Sequence, residues 1–337
     1  MFAPLLAAAL ALGGCASVFP YEPVLRGETM GSTWTVRIAG ALPATGEDLS
    51  AGVQSRFEAV NQALSTYRPD SALSRFNEDD RGEWLDIDPE LAAVMSYGLS
   101  LAEASGGAYD LTVGPLVSLW GFGPDPARDR VPDAAAIEAA RARVGWQKVE
   151  VDLAGHRARK APGVRVDLSS LGKGRGVDRV AEYLDSQGVT NYLIDLSGKL
   201  RARGHNVRGD AWQVAVEQPA PDDPSGAPRT VPAVVALNAN NNAIATAGDY
   251  RRFFETGGRH YSHLIDPRTG APVDHATLSA TALAPTCMEA DALATVLMVM
   301  EPAAALRLAE TGHIPALLIR RENAGFRLQP SASWRQQ

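Results

Sequence analysis

The run Cys287-Met288-Glu289-Ala290-Asp291-Ala292-Leu293-Ala294-Thr295 sets an acid and a hydroxyl four residues apart in an otherwise apolar stretch. On a helix, positions i and i+4 share a face, so Asp291 and Thr295 would present a carboxylate and a hydroxyl together. Such hard oxygen donors, with room left for carbonyls and water, suit Mg²⁺ far better than Zn²⁺. The same residues also fit a plain helix start, with Asp291 near the dipole and Thr295 bonded back to a carbonyl.

A second segment is Asp167-Leu168-Ser169-Ser170-Leu171-Gly172-Lys173-Gly174-Arg175-Gly176-Val177-Asp178. It reads as the end of a strand, then three glycines within five residues, then a helix. Backbone N–H groups, a helix N-terminus and the Lys173 ammonium would face an anion, which is the physics of phosphate binding. The spacing is not that of a P-loop, and glycine-rich turns precede many helices. Two further stretches, Gly27-Glu28-Thr29-Met30-Gly31-Ser32 and Thr66 through Asn77, flank Met30 and Tyr67 with turn-formers. A methionine and an aromatic make a wall for a flat ring, or simply two core-facing residues beside a turn. Downstream, Asp266-Pro267-Arg268-Thr269-Gly270 reads as a turn, with Ser262 and His263 on the strand entering it. His263 is a general base or a polar residue satisfied by its neighbours.

The elements that must position these residues are a mixture. Val53, Phe57, Val60 and Leu64 recur at helical spacing, and a second helix runs from Pro89 through Leu101 to Gly106-Gly107. Further helices are predicted over 133–144, from Val177 to Gly188, over 290–300 and over 302–310. Strands are predicted over 33–38, 148–153, 164–168, 191–196, 212–216, 233–237, 279–284 and 316–319, with a loop insertion over 219–226. No strict βαβ alternation is present, so the predicted class is α+β, one large domain of two intimately packed halves spanning 26–330, with a 331–337 tail.

The 337 residues are 45% hydrophobic and 21% charged, which describes a chain that can bury a full core. A net charge of −7 argues against non-specific nucleic-acid binding. Two cysteines, Cys15 and Cys287, exclude a disulfide scaffold and a thiolate zinc cluster. The apolar run Leu5 to Leu12 is too short to span a bilayer, which takes roughly 20 residues. It ends in Leu12-Gly13-Gly14-Cys15 with no basic residue before it. Residues 1–14 read as a signal peptide of the bacterial lipoprotein kind, Cys15 as the lipidation point and 15–25 as a tether. This places the protein on the periplasmic side of a bacterial membrane. A buried N-terminal helix with an incidental cysteine is the alternative.

In their order along the chain, these segments resemble the ApbE family, the FAD:protein FMN transferases. The resemblance covers roughly Gly27 to Met300. It rests on Thr29-Met30-Gly31-Ser32, Ser65-Thr66-Tyr67 with Ser74-Arg75-Phe76-Asn77, and Tyr109-Asp110-Leu111-Thr112-Val113-Gly114-Pro115-Leu116. It rests also on Asp167 to Asp178, Gly248-Asp249-Tyr250, Tyr261 to Gly270, and Asp291 to Thr295. The resemblance implies an enzyme that binds FAD and Mg²⁺ and moves the FMN half onto a Ser or Thr hydroxyl of a redox protein, releasing AMP. It implies flavin contacts at Met30, Tyr67, Ala108, Tyr109, Asp110, Asp167, Lys173 and Ile265. Metal contacts fall at Asp291, Thr295 and Ser170, the last through its main-chain carbonyl. His263 is the expected base, titrating near pH 6.5. The chain departs from the family where Ser197-Gly198-Lys199 replaces the usual Gly-Gly-Glu or Gly-Gly-Asn, and where Ala247 replaces a frequent Ser. An FAD pyrophosphatase and a non-catalytic flavin-binding lipoprotein are the rival readings.

Overall fold

The computed structural model describes residues 22–123, 131–217, 231–240, 242–249, 252–322 and 325–336. Cys15 and its leader, Tyr250 and the 219–226 insertion lie outside the described residues.

Among the described residues, eight strands make the main sheet. Their order is Val24–Thr29, Ser32–Ile38, Tyr192–Leu196, Lys199–Arg203, Ala243–Gly248, Thr277–Ala284, Ala316–Glu322 and Gly325–Pro330. Every neighbouring pair runs antiparallel, as an α+β chain requires and a doubly wound sheet forbids. Alternation turns Trp34, Val36, Ile38, Tyr192, Ile194 and Leu196 to one face. Three helices cover that face: Gly46–Leu64, Ser169–Ser186 and Cys287–Val299. Their Phe57, Val180, Leu184 and Ala290 complete the cluster. The opposite face, with Leu193, Ile244, Leu283 and Leu317, lies under the ribbon of Gln213–Val216 and Ala233–Ala236.

A second core joins the helices Ala72–Glu78 and Pro89–Ala104 to the same layer through Leu73, Phe76, Leu91, Met95, Leu111 and Leu168. Met30 and Leu293 pack against both cores, so the two cores share side chains. Local grammar fixes the helix ends. Asp88 caps the Pro89–Ala104 helix by accepting from the Glu90 and Leu91 amides, and Thr286 caps the Cys287–Val299 helix at Glu289.

Four expectations change. Residues 164–168 form no strand. The Asn77 side chain serves as the partner of Val166, donating to its carbonyl at 2.8 Å and accepting from its amide at 2.7 Å. The helix expected from Val177 opens at Ser169, so Gly172, Gly174 and Gly176 lie inside it. The first strand opens at Val24, within the stretch read as tether. The expected tail is anchored at its start, since Ser331 is buried, donates to the Ile314 carbonyl and accepts from the Ala316 amide.

Candidate active site

The glycines of the Ser169–Ser186 helix explain how the site closes. A Cβ on Gly174 would stand 2.5 Å from the Cys287 carbonyl oxygen and 2.7 Å from the Met288 Cα. A Cβ on Gly176 would stand 3.0 Å from the Phe57 ring and 3.4 Å from the Met30 methyl. These two residues are glycine because helices meet there, not because a loop wraps a phosphate. Gly172 is different, as a Cβ there would meet nothing within 4 Å. Asp178, at the end of the motif, is structural. Its carboxylate accepts from the Cys287 and Met288 amides and pairs with Arg201 at 2.6 Å, capping one helix from another.

The close approach brings Asp291 to the Gly174 amide, which donates to Oδ2 at 3.3 Å. Asp291 is 3% exposed, and its Oδ1 lies 2.9 Å from the Lys199 ammonium. The same ammonium donates to the Thr246 carbonyl at 2.8 Å. Thr295, one turn on, donates its hydroxyl to the Asp291 carbonyl at 3.0 Å, keeping its oxygen lone pairs. Among the described residues no three His, Cys, Asp or Glu converge as a metal cluster. A lone carboxylate among neutral oxygens is nevertheless a Mg²⁺ type of donor set, and a cation already stands in it. Asp291 and Thr295 are hard oxygen donors of the kind such an ion takes, and here both Asp291 carboxylate oxygens are engaged, by Lys199 and by the Gly174 amide.

The residues expected to contact a flavin are placed in different settings. Met30 and Gly31 form the two-residue turn of the first hairpin, both with positive φ (50° and 67°), and the Met30 side chain reaches over Gly176. Tyr109 is buried and its hydroxyl lies 3.3 Å from Ser170 Oγ, so two sequence-predicted residues meet; burial raises its phenol pKa. Ala108 is buried. Asp110 uses its acceptors internally. Oδ1 takes the Thr112 amide and hydroxyl, Oδ2 takes the Trp146 amide, and burial raises its pKa. Its role here is to hold the 110–112 turn.

Tyr67, by contrast, is 56% exposed, a flat ring presented to solvent. The neighbouring Thr66 and Asp167 line a cavity of about 470 Å³ together with Asn77, Arg143 and Arg165. Asp167 accepts from the Ser169 amide at 2.8 Å, and its own amide donates to the Leu111 carbonyl. Ile265 is buried among Trp120, Phe122 and Phe254, in the strand pair that flanks the expected turn at Asp266.

His263 follows the strand Arg259–Ser262 and is half-buried. Its Nδ1 lies 2.9 Å from the Arg252 carbonyl. A carbonyl only accepts, so Nδ1 carries the proton and Nε2 keeps a lone pair. Burial pushes the imidazole down to about 4, and the charges of Arg252, Lys199 and Lys173 push the same way. The ring is thus neutral at pH 7, a correction to the expected titration near 6.5. It also stands in the field of both site lysines. Asp249 lies 3.7 Å from the His260 ring, and burial raises its pKa.

Sequence reading missed the roles of Lys199, Thr246 and Asn77. Lys199 was visible only as a departure from pattern. Thr246 contributes through a carbonyl, which no residue type betrays. Asn77 sat in a noted motif, but its pairing with Val166 spans 89 positions.

Comparisons with known proteins identify the family. The ApbE family model matches residues 30–318. A Vibrio cholerae protein named FAD:protein FMN transferase is 40% identical over 332 residues, covering 98% of this chain and 96% of its own. The solved structure of the flavin transferase ApbE from Vibrio cholerae superposes with a TM-score of 0.84 at 37% identity, covering 94% of this chain and 99% of that one. The apo flavinyl transferase ApbE of Pseudomonas stutzeri gives 0.85 at 35% identity, covering 95% and 98%. A family match across most of the chain, with relatives near 40% identity over almost its full length, makes this protein a member of the ApbE family.

Proposed function

We propose that the protein is an FAD:protein FMN transferase. The acceptor's Ser or Thr oxygen attacks the FMN phosphorus of FAD, the pyrophosphate P–O bond breaks, and AMP leaves. The observation that carries the reading is His263. Its Nδ1 is engaged by the Arg252 carbonyl, which leaves the Nε2 lone pair as proton acceptor, with the Lys173 and Lys199 charges lowering its basicity. Such a nitrogen can take the acceptor's hydroxyl proton. Family membership and the names of its relatives support the choice of substrate.

Tyr67 offers its exposed ring to a flat group, and Met30 adds a polarizable wall. Lys173 and the start of the Ser169–Ser186 helix supply positive field for the pyrophosphate. Asp291, Thr295 and the Ser170 main chain would hold Mg²⁺. That ion, when bound, neutralises charge on the transferring and leaving oxygens. Asp291→Asn should abolish metal-dependent turnover with the fold intact, whereas normal activity at ordinary Mg²⁺ would remove the metal assignment.

We further propose attachment to the periplasmic side of a membrane through a lipid on Cys15. Labelled palmitate should enter the wild type and not Cys15→Ser. A wild-type protein without lipid would end this reading.

A further inference from the structure

Lys199 and Arg201 are two residues apart on one strand, and alternation turns both toward the helix layer. Each meets a buried acid there: Arg201 pairs with Asp178 and Lys199 with Asp291. The turn before the strand sets this register. Ser197 and Gly198 both have positive φ (53° and 81°), Leu196 pairs with Lys199, and the Gly198 amide is held by Asp195. On the other edge Lys199 pairs with Ala245, next to the Thr246 carbonyl that receives its ammonium. Lys199 is therefore placed by a short turn and two ladders.

A buried carboxylate without a counter-charge is costly, and Lys199 supplies that charge. A divalent ion bound to the same carboxylate would sit within a few ångströms of a fixed ammonium, and the two repel. Arg201 is held off from Asp291 by its own pair with Asp178. The lysine, a compact charge on a flexible four-carbon stem, is the group that can leave.

We propose that Lys199 is a built-in counter-cation of Asp291 that exchanges with the divalent ion. It keeps the acid neutralised when metal is absent and must withdraw its ammonium when metal enters. Lys199 is thus a positioning residue that weakens metal affinity and makes the fold independent of metal. The inference rests on the reading of Asp291 as a metal ligand.

The test uses Mn²⁺ as probe, followed through its free-ion electron spin resonance signal, on wild type, Lys199→Met and Lys199→Gln. Both variants should bind Mn²⁺ at least about tenfold more tightly than wild type. In EDTA they should melt below wild type, with Mn²⁺ restoring more of their melting temperature than it adds to wild type. Equal Mn²⁺ affinity in wild type and a folded variant, or no Mn²⁺ binding by any of the three, would overturn the proposal. A second measurement needs no variant. Acetylation of Lys199 in the wild type, read by peptide mass spectrometry, should speed up several-fold when Mg²⁺ is added, and an unchanged rate would contradict the exchange. If Asp291→Asn loses Mn²⁺ binding while Lys199→Met leaves it unchanged, the metal reading stands and only the role of Lys199 falls.

Discussion

Gly174 and Cys287 are in contact so close that the first has no room for a side chain: its Cβ would stand 2.5 Å from the second's carbonyl oxygen. That approach lets the Gly174 amide reach Asp291 and sets the two helices that frame the site. The clash is with backbone, which cannot rotate away. Gly174→Ala is expected to destabilise the protein by about 1–3 kcal/mol or more through overpacking, against its usual gain in helix propensity. Urea denaturation measures it. A variant as stable as wild type would mean that the helices can part without cost.

Tyr67 separates binding from folding. The ring is 56% exposed, so its removal exposes little new surface. Loss of aromatic stacking is worth about 1–3 kcal/mol per stacked ring. Tyr67→Ala should therefore weaken FAD binding by roughly 5- to 150-fold at an unchanged melting temperature. Fluorescence titration with FAD is the measurement, and unchanged affinity would take Tyr67 out of the site.

Asn77 acts through Val166. Its amide replaces a neighbouring strand by giving and taking one hydrogen bond, and Asp167 follows directly. Asn77→Ala leaves both backbone groups of Val166 unpaired, at about 1–3 kcal/mol each where they are buried. Both stability and FAD affinity should fall together, as calorimetry and titration would record. A fall in stability alone would show that Asp167 holds its place without this support.

His263 gives the pH dependence. The folded protein holds the ring neutral down to about 4, whereas the unfolded chain takes up a proton near 6.5. As pH falls from 6.5 toward 4 the unfolded state binds the proton first, so stability present above pH 6.5 is lost across that window. His263→Gln should lose less stability than wild type between pH 7.5 and about 4.5, read from urea midpoints. The ring resonances of His263 should likewise titrate near 4. A midpoint near 6.5 would contradict the burial argument. His263→Ala should keep FAD affinity and lose about 10²–10⁴-fold in transfer rate.

Much of this was legible in the chain. The Val53–Leu64 spacing, the Asp88-Pro89 start and the Gly106-Gly107 stop marked helices that the structure contains, because these signals act within one turn. The helical spacing of Asp291 and Thr295 was legible for the same reason, and the bond from the Thr295 hydroxyl back to the Asp291 carbonyl is the one expected of a plain helix start. What failed was non-local. Three glycines read as a loop because the reason for two of them, the Cys287 backbone and the Phe57 ring, lies on other helices. Residues 164–168 read as a strand because β-branched alternation records burial, and the partner of Val166 is one side chain 89 positions away. The His263 proton affinity was misjudged because desolvation and the lysine charges come from distant segments.

The central claim is that flavin moves to protein with its phosphate. FAD carrying a radioactive phosphorus on the flavin side of the pyrophosphate, incubated with the protein, Mg²⁺ and a redox acceptor bearing an accessible Ser or Thr, tests it most directly. The label should travel with flavin fluorescence onto the acceptor in a denaturing gel, with unlabelled AMP released in equal amount. Label appearing as free FMN would make the protein a pyrophosphatase, and label remaining in FAD would make it a carrier. Either result would contradict the account.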